Sequence, residues 1–367
     1  MADRVCRWGI LGTATIARKN WKSIWNSGNA TLVAVASRDL SRSQKYIAEC
    51  QAQVPFDPPP RAYGSYEELL GSDDIDAVYI PLPTGVRKEW VIRAAEAGKH
   101  VMCEKPCGNN AAEVAEILAA CEANNVQFMD GVMFMHSKRL DSIRQVLDDG
   151  SSVGQIRRIT SQFSFCAPDD WIDSNIRTSS ELERFGCLGD LGWYNIRFAL
   201  WAMNYQLPER ISARALTAKG RSDSPSAVPV EFSAEMFFAG GVSSSFYCSF
   251  IGEHQQWVNV SGTKGYLYVD DFVLPFYGSE VGFEVSNAVF DLHGCEFNME
   301  EHTRRLAVAE YSSGEPNAQE TYLFRNFADL VLSGKADPKW GKIALQTQQV
   351  VDACLQSAQA GGDFIEL

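Results

Sequence analysis

The sequence predicts two domains, an α/β domain with a doubly wound parallel sheet and then an α+β domain with a large open, mostly antiparallel sheet. The chain has 367 residues, about two to three times the length of a typical single domain. Its first 150 residues alternate short β-branched runs with amphipathic stretches, which is typical of a parallel sheet covered by helices. The following stretch carries long alternating runs with few crossover helices, which indicates antiparallel strands.

The first domain is predicted over residues 1–135, with strands and helices in alternation. Each strand is a short apolar run, and each helix carries apolar residues three or four positions apart. The strands are predicted at 5–11, 31–36, 77–81, 100–103 and 126–130, and the helices at 14–25, 41–51, 86–97 and 111–124. The carboxyl ends of such strands form the edge at which doubly wound sheets bind ligands.

The second domain is predicted over residues 136–367, and its clearest strand covers 242–251, where apolar residues alternate with small or polar ones. Residues 271–318 show no clear period, so we expect a long loop there that covers a cleft. The remaining strands are predicted at 157–165, 208–218, 230–238, 256–261 and 265–269, and the helices at 188–203, 320–333 and 341–360. The last of these helices is a candidate to pack back on the first domain.

Composition and charge exclude several classes of function. The hydrophobic residues make up 46% of the chain and the charged residues 22%, as in a packed globular protein. The formal charge of −13 repels nucleic acid and anionic lipid, and no basic patch offsets it. No apolar run reaches the ~18 residues of a membrane span, and residues 1–4 lead into a strand without a secretory leader. We therefore expect a cytoplasmic protein with no nucleic-acid or membrane partner.

The cysteines and histidines show no metal-binding pattern. The ten cysteines include no CxxC pair, and the five histidines show no HxxxH spacing. Most of the cysteines lie in apolar stretches, where a free thiol behaves as a small hydrophobic group. We therefore expect reduced cysteines and no structural metal.

The first strand runs into a turn of small residues that resembles a dinucleotide-binding fingerprint. In the segment Gly12-Thr13-Ala14-Thr15-Ile16-Ala17, the key positions are Gly12, Ala14 and Ala17. Small residues there let backbone N–H groups approach a pyrophosphate at a helix N-terminus, where partial positive charge is concentrated. On this segment alone, an ordinary tight turn between a strand and a helix is an equal alternative.

The end of the second strand discriminates between NAD and NADP. An acidic residue there would accept hydrogen bonds from a ribose 2′-OH and repel a 2′-phosphate. This chain has Ser37 and Arg38 instead, a hydroxyl and a guanidinium that suit a phosphate. The sequence thus favours NADP(H), and the alternative is that Arg38 is simply solvated in a loop.

Two further segments at the carboxyl ends of strands complete a recognisable pattern. They are Pro81-Leu82-Pro83-Thr84 and Glu104-Lys105-Pro106. Together with Gly9-Ile10-Leu11-Gly12, Val35-Ala36-Ser37-Arg38 and Gly189-Asp190-Leu191-Gly192-Trp193-Tyr194, they occur in the order typical of one family. The chain resembles the glucose-fructose oxidoreductase / inositol dehydrogenase (GFO/IDH/MocA) family over nearly its whole length. It is most similar to the branch of dimeric dihydrodiol dehydrogenase and NADP-dependent D-xylose dehydrogenase, including plant members.

This resemblance implies a fold, a cofactor and an activity. It implies an N-terminal Rossmann domain, a C-terminal open sheet whose outer face forms homodimers, and hydride transfer at a sugar or polyol carbon. Residues 81–84, Arg87, Glu104 and Lys105 would join the turn and the Ser37 segment in binding the cofactor. Lys105 would also lie beside the reacting oxygen, Tyr194 would be the acid/base, and Asp190 would be its neighbour.

The spacing of Asp190 and Tyr194 has a meaning independent of the family. At i and i+4 they share one face of the helix predicted at 188–203, so they reach the same cleft. An unperturbed tyrosine titrates near ~10, so a nearby cation such as Lys105 is needed to stabilise its phenolate at neutral pH. The structural alternative is that Tyr194 is an aromatic residue packed between domains.

The chain departs from the family pattern after the Pro-x-Pro segment. Many members have Asn-x-x-His there, whereas this chain has Thr84 followed by Arg87. Thr84 keeps a hydroxyl that can cap the next helix, but Arg87 replaces an imidazole with a fixed cation. Arg87 either favours an anionic substrate or points to solvent. His136 either lines the nicotinamide side or lies at the surface.

We therefore expect an NADP(H)-dependent oxidoreductase that interconverts an alcohol or hemiacetal with a ketone or lactone on a sugar, polyol or cyclic diol. A ligand-sensing regulator that binds NADP without turnover is the alternative, since fold alone does not exclude it. The presence of both Lys105 and Tyr194 argues for turnover. A third possibility is an enzyme that recycles a tightly held cofactor within one catalytic cycle.

Overall fold

The computed structural model describes residues 4–367, and residues 1–3, which the sequence places ahead of the first strand, lie outside the described part. The chain divides into two compact units. Unit 1 comprises Met1–His136, Glu181–Arg184 and Ser313–Gln349, and unit 2 comprises Ser137–Ser180, Phe185–Ser312 and Val350–Leu367. The ranges 1–135 and 136–367 for the two domains stay a prediction from the sequence.

Unit 1 is built on a six-stranded sheet in which all neighbouring strands pair in parallel. The strand order is 3-2-1-4-5-6, that of a doubly wound dinucleotide-binding fold. Its strands are β1 (Cys6–Leu11), β2 (Ala30–Ala36), β3 (Arg61–Tyr63), β4 (Ala77–Ile80), β5 (His100–Cys103) and β6 (Phe128–Asp130). Its helices are α1 (Thr15–Asn26), α2 (Leu40–Gln51), α3 (Tyr66–Leu70), α4 (Thr84–Glu96) and α5 (Ala111–Ala123), followed by a 3-10 turn at Met133–His136.

The Rossmann part of the fold prediction is confirmed. Each predicted strand and helix of the first domain is present, with bounds that differ by no more than two residues. The sequence analysis did not include β3 or α3. Both are short, and no local periodicity distinguishes three or five residues from the loop around them.

Unit 2 is built on a nine-stranded sheet of order 16-13-12-11-7-10-9-8-17. Its neighbouring strands pair antiparallel, except that β7 and β10 pair in parallel. Its strands are β7 (Ile156–Cys166), β8 (Arg210–Lys219), β9 (Val228–Phe238), β10 (Val242–Ser249), β11 (Ile251–Gly262), β12 (Tyr266–Val269), β13 (Val281–Ser286), β16 (Thr303–Val308) and β17 (Ile365–Glu366), and a separate hairpin holds β14 (Val289–His293) and β15 (Glu296–Glu300). The prediction of a large, mostly antiparallel sheet is confirmed.

Further helices lie between and after these strands. Two long helices lie between β16 and β17, and the first of them belongs to unit 1. The boundary between the units falls inside the last long helix, between Gln349 and Val350. These helices are α6 (Lys138–Asp148), α7 (Asp169–Ser174), α8 (Trp193–Ala202), α9 (Gln319–Ser333) and α10 (Lys339–Gln359), and a 3-10 turn lies at Ile176–Thr178.

The expectation of a long loop over 271–318 is wrong, because four strands lie in this stretch. Strands β13 and β16 pair with each other at one edge of the large sheet. Strands β14 and β15 form an isolated hairpin in which nearly every side chain is exposed. Val281, Phe283 and Val285 on β13, and Phe297 and Met299 on β15, alternate with small or polar residues. The strand signal was therefore present in this stretch, and the prediction missed it.

Two further predictions about unit 2 need correction. The helix predicted at 188–203 is a π-helix over Leu188–Gly192 that continues into α8. The strand predicted at 242–251 ends at Ser249, and the chain resumes in β11 two residues later. Ser249, expected on the polar face, is buried, and its hydroxyl accepts a hydrogen bond from the Ile251 amide at 2.9 Å.

Helix α9 packs on the Rossmann sheet of unit 1 through aromatic rings. Trp8 on β1 lies with its ring centroid 5.2 Å from that of Phe324 and 5.0 Å from that of Phe327. All three side chains are fully buried. Aromatic residues bury about 150–250 Å² each, so this cluster contributes strongly to the stability of unit 1.

All ten cysteines are free thiols, as expected from their spacing. No helix among residues 4–367 is long and apolar enough to cross a membrane.

An ion pair joins the start of β1 to the residue just before β4. Arg7 donates from Nε to Asp76 Oδ2 at 3.0 Å and from Nη2 to Oδ1 at 2.8 Å, and its backbone N–H also donates to Oδ2. Burial alone would raise the pKa of Asp76, but these hydrogen bonds outweigh burial and lower it. The ionised carboxylate therefore stabilises the pairing of β1 with β4.

We predict that Asp76→Ala lowers the free energy of unfolding at pH 7 by about 1–2 kcal/mol, because three hydrogen bonds to a carboxylate are lost while the Arg7 side chain stays partly solvated. The contribution is present above the unfolded pKa of about 4 and fades as the pH falls through the lower folded pKa. Denaturant unfolding measured between pH 7 and pH 3 should show the gap between variant and wild type closing at acid pH.

Asp74→Ala is the matched control, since Asp74 is exposed and its carboxylate lies 3.9 Å from the Arg7 guanidinium. It should change the free energy of unfolding by less than about 0.5 kcal/mol. Equal losses for both variants would contradict the account.

Candidate functional site

The turn after β1 brings backbone N–H groups to the carboxyl edge of the Rossmann sheet. Gly12 has φ +106°, a conformation that residues with a Cβ rarely adopt, and a Cβ there would stand 3.0 Å from Leu82 Cδ2. The Gly12 amide donates to the Ala36 carbonyl at 2.8 Å, which ties the turn to the end of β2. The turn continues through the small, half-buried residues Thr13 and Ala14.

The N-terminus of α1 is available to an anion. Its N-cap residue, Ala14, has extended backbone angles and no side chain that could cap the first-turn N–H groups. Ile16 in this first turn is 41% exposed. Unsatisfied N–H groups at a helix start attract phosphate, and a side-chain cap would compete with it. The residues present therefore fit the pyrophosphate of a dinucleotide.

Two arginines lie near the end of β2. Ser37 is buried, and its amide donates to the Tyr63 carbonyl at 3.3 Å. Arg38 is exposed, and no carboxylate within the described residues forms an ion pair with it. Burial raises the pKa of Tyr66, while the nearby cations of Arg38 and Arg42 lower it, so both guanidinium groups lie close to that phenol.

Arg42 is a residue that the sequence analysis missed. It is exposed in the first turn of α2, and it too has no ion pair among residues 4–367. The available signal was its closeness in sequence, since Arg42 follows the Ser37-Arg38 segment by four residues and lies in the first turn of α2. Together Arg38 and Arg42 place two exposed guanidinium groups near the end of β2, and neither forms an ion pair within the described residues.

The segment after β4 is largely buried. Pro81, Leu82 and Thr84 are buried and Pro83 is half-buried. Thr84 is the first residue of α4 and its hydroxyl donates to Glu183 at 2.7 Å, so the expectation that Thr84 itself caps this helix is wrong.

Arg87 is only 3% exposed, so of the two alternatives for this residue, the one in which it points to solvent is wrong. Its guanidinium donates to the backbone carbonyls of Leu82 and Pro106. A buried cation needs hydrogen-bond partners, and these carbonyl oxygens supply them. These partners could not be predicted from the sequence, because they are main-chain atoms brought together by the fold.

Glu104, which follows β5, is held by a chain of hydrogen bonds within unit 1. Asn20 Nδ2 donates to the Tyr79 hydroxyl at 2.7 Å, and that hydroxyl donates to Glu104 Oε1 at 2.5 Å. Burial and the adjacent Glu104 carboxylate raise the pKa of Tyr79 well above its usual value, so the phenol stays protonated. Lys105, the next residue, is half-buried.

In unit 2, Asp190 lies in the π-helix and Tyr194 in the first turn of α8. Tyr194 is 8% exposed, and its ring packs edge-on against Phe163 at a centroid distance of 5.7 Å. Asp190 Oδ2 lies 2.7 Å from Arg177 Nε. Arg177 was missed, because it lies outside any strand or helix that the sequence predicts. Single-turn π-helices occur often at functional sites, which draws attention to this segment.

The structure therefore brings two sets of candidate residues together, each within its own unit. The turn after β1, the Ser37 segment, the Pro81 segment and Lys105 all lie at the carboxyl edge of the Rossmann sheet. Asp190 and Tyr194 lie together in unit 2. The joint action of Lys105 and Tyr194 stays a prediction.

His136 is not a surface residue, since it is 7% exposed. Its ring stacks on Trp340 at 4.6 Å, and Nδ1 lies 3.0 Å from Asn326 Nδ2. These contacts within unit 1 hold the His136 ring in a defined position. Among residues 4–367 there is no group of three or more His, Cys, Asp or Glu side chains that could hold a metal ion.

Comparison with protein families gives two matches along the chain. A model described as an oxidoreductase family with an NAD-binding Rossmann fold (GFO/IDH/MocA) matches residues 6–132. The model of the GFO/IDH/MocA C-terminal domain matches residues 140–268. The family resemblance carried by the motifs is confirmed.

Similar proteins with known names are dehydrogenases and reductases. A trans-1,2-dihydrobenzene-1,2-diol dehydrogenase from Mus musculus is 32% identical over 73% of this chain and 76% of its own length. The D-xylose 1-dehydrogenase (NADP(+)) 2 of Haloferax volcanii is 32% identical over 71% of this chain and 74% of its own length. Both belong to the branch that the sequence resembles, so that prediction is confirmed.

A solved structure shares the fold over nearly the whole chain. The 3-ketoreductase from Actinomadura kijaniata, in complex with NADP and TDP-benzene, has a TM-score of 0.80 and 24% identity, covering 96% of this chain and 98% of its own. At this level of identity the likeness shows the fold alone.

Proposed function

Because the chain belongs to the GFO/IDH/MocA family of oxidoreductases, we propose that it is an NADP(H)-dependent dehydrogenase/reductase acting on a sugar, a polyol or a cyclic diol. The observation that carries the proposal is the pair of exposed arginines near the end of β2, which form no ion pair within the described residues, together with the helix after β1 that has no side-chain cap. Relatives named as acting on a dihydrodiol and on D-xylose support this substrate class. They lend no support to a non-catalytic sensor.

The cofactor would be held by residues that follow three strands. The turn of Gly12, Thr13 and Ala14, with Ile16 in the first turn of α1, would receive the pyrophosphate. Ser37 and Arg38, joined by Arg42, would receive the 2′-phosphate through charge-assisted hydrogen bonds. The segments after β4 and β5 would line the nicotinamide end. When bound, NADP⁺ supplies the hydride acceptor for alcohol oxidation, and NADPH the donor for the reverse reaction.

Tyr194 would carry the proton. In the oxidation direction its phenolate would accept the proton of the reacting hydroxyl, and in reduction its phenol would return a proton to the carbonyl oxygen. The ammonium of Lys105 would favour the phenolate, since an adjacent cation stabilises the charged form of an acid. Asp190 would help to orient this pair, with its own carboxylate neutralised by Arg177 at 2.7 Å.

Arg38→Ala should weaken NADPH binding roughly 10- to 100-fold, because a charge-assisted contact to a phosphate contributes about 1.5–3 kcal/mol. NADH binding should stay nearly unchanged, since NADH has no 2′-phosphate. Fluorescence titration of the purified protein with each nucleotide gives the dissociation constants for NADPH and NADH.

The matched control for Arg38 is Arg93→Ala, which removes another exposed arginine of unit 1, paired with Glu67 at 2.9 Å and Glu89 at 2.7 Å. It should leave both constants unchanged. An equal loss of NADPH and NADH affinity in Arg38→Ala would mean that Arg38 has a structural role instead.

Either Lys105→Met or Tyr194→Phe should reduce turnover by roughly two to four orders of magnitude, with much smaller changes in cofactor affinity. If the two residues act as one unit, the double variant should be little worse than the worse single variant. Steady-state kinetics with matched nucleotide titrations measures both quantities.

The pH dependence tests the same unit. For the wild type, the oxidation rate should rise with pH through an apparent pKa well below the ~10 of free tyrosine, because deprotonation creates the base. That rising limb should vanish in Tyr194→Phe. Activity retained in Tyr194→Phe with an unchanged pH profile would assign the proton to another group, with Asp190, Lys105 or His136 as the remaining candidates.

We also propose a homodimer formed through the outer face of the large sheet. Ser243 and Ser245 on β10 are small, half-buried and hydrogen-bonded to Arg158 at 2.7 and 2.9 Å, while Tyr247 donates to Glu231 at 2.5 Å. A flat face of small side chains whose polar groups are already satisfied suits contact with its own copy.

Light scattering at micromolar concentration should therefore give about 81 kDa, twice the chain mass of 40.7 kDa. Ser245→Arg places like charges opposite each other across an isologous contact, so it should shift the mass toward the monomer. Ser333→Arg, at an exposed position at the end of α9, is the control. A wild-type mass of about 41 kDa, that of a single chain, would contradict the proposed homodimer.

A further inference from the structure

A buried guanidinium connects the segments that follow β4 and β5. Arg87 on α4 donates from Nε to the Leu82 carbonyl at 2.9 Å, and its Nη2 donates to the same oxygen. Its Nη1 donates to the Pro106 carbonyl and to the Thr84 hydroxyl, the latter at 3.1 Å. One side chain thus holds two loops of the Rossmann edge together.

Glu183 completes this arrangement from a distant part of the chain. The Thr84 hydroxyl donates to Glu183 Oε2 at 2.7 Å, and the Thr84 amide donates to Oε1 at 3.0 Å. The hydroxyl has one proton, which Glu183 accepts, and its lone pairs accept from Arg87. A buried cation and a carboxylate are therefore bridged by a single hydroxyl group.

The loop that carries Glu183 is fitted closely to the start of α4. The Gly85 amide donates to the Leu182 carbonyl at 3.0 Å. A Cβ at Gly85 would stand 2.0 Å from the Glu181 carbonyl oxygen, so only glycine permits this approach. The first amides of α4, which lack partners within the helix, are satisfied by this loop rather than by water.

Pro106 directly follows Lys105, so a hydrogen bond that anchors the Pro106 carbonyl also restrains Lys105. Proline has a fixed φ, and the peptide bond before it is planar, so an anchored Pro106 carbonyl leaves one soft dihedral between it and the Lys105 carbonyl. On the other side of Lys105, the Glu104 carboxylate is held by the Tyr79 hydroxyl at 2.5 Å. Both neighbours of Lys105 are thereby restrained.

We propose that Arg87 is a positioning residue that orients Lys105 through the Pro106 carbonyl, and that Glu183 holds Arg87 in place through Thr84. Arg87 is buried, and four of its five N–H groups donate to the chain itself. We therefore assign it a role through Lys105, in place of the direct cofactor contact that the family resemblance implies. The inference rests on the proposed role of Lys105. It explains why a fixed, forked cation suits this position, because an ammonium cannot reach both carbonyl groups and the hydroxyl in one plane.

Arg87→Met tests the proposal in the purified enzyme. It should lower kcat about 10- to 100-fold, with KM for NADP⁺ changed less than about threefold, because a small misplacement of a reacting group affects chemistry more than binding. Arg87→Lys should not restore kcat. In the Lys105→Met background, Arg87→Met should cause no further loss, because its effect acts through Lys105.

Arg93→Met on the same helix is the control and should leave kcat unchanged, since the Arg93 side chain is exposed, pairs with Glu67 and Glu89 and lies over the Trp90 ring. If Arg87→Met fails to fold, Glu183→Gln is the second variant. It should lower kcat about three- to tenfold, because the amide cannot accept both Thr84 hydrogen bonds.

A measurement without cofactor or turnover complements the kinetics. Reductive ¹³C-methylation of the nucleotide-free protein gives one NMR signal per lysine, and the Lys105 signal is identified by its loss in Lys105→Met. That signal should shift in Arg87→Met and in Glu183→Gln, and stay unmoved in Arg93→Met.

The outcomes separate the two proposals. Wild-type kcat and an unmoved Lys105 signal in Arg87→Met would overturn the positioning role, even if Lys105→Met is inactive. Full activity in Lys105→Met would instead overturn the proposed function. An equal loss from Arg87→Met in both backgrounds would show that Arg87 acts independently of Lys105, which also contradicts the proposal.

Discussion

The parallel pairing of β1 with both β2 and β4 is the constraint on which the candidate site depends. It places the end of β1 between two neighbours, with Leu11 beside Ala36 and Ile10 beside Tyr79. Strands β2 and β3 lie on one side of β1, and the chain then crosses to place β4, β5 and β6 on its other side. This reversal of strand order opens a crevice at the carboxyl edge, into which the turn after β1 directs its N–H groups.

Around that crevice, buried hydrogen bonds hold the loops in defined positions. Asn20, Tyr79 and Glu104 link α1, β4 and the segment after β5. Arg87 links the segments after β4 and β5 through their carbonyl oxygens. A buried polar group that loses its partner destabilises the fold by about 1–3 kcal/mol, so each such network favours one arrangement of its loop. Loops restrained in this way are suited to a reaction that needs accurate placement of groups.

The Rossmann fold was predictable because its signals are local, and the remaining features were not because their causes are distant in the chain. The bounds of β5 follow from a short apolar run, Val101–Cys103, and Gly12 follows a strand directly. The hairpin of β14 and β15 does alternate, with Phe297 and Met299 between polar residues, but it was not recognised, and its apolar side chains stay exposed instead of joining a core. In the sequence, nothing distinguishes Arg87 from an exposed helical arginine, because its partners are main-chain oxygens and the Thr84 hydroxyl, and the fold brings the distant Glu183 to Thr84.

The central claim is that this chain oxidises a secondary alcohol or hemiacetal of a sugar, polyol or cyclic diol with NADP⁺. The most direct measurement is absorbance at the reduced-nicotinamide band, with NADP⁺ and NAD⁺ against aldoses, inositols and trans-dihydrodiols. The account predicts growth of that band with at least one of these classes, faster with NADP⁺ than with NAD⁺. The account would be contradicted if the protein bound NADP⁺ tightly but no aldose, inositol or trans-dihydrodiol reduced it, and if no matching lactone or ketone oxidised NADPH.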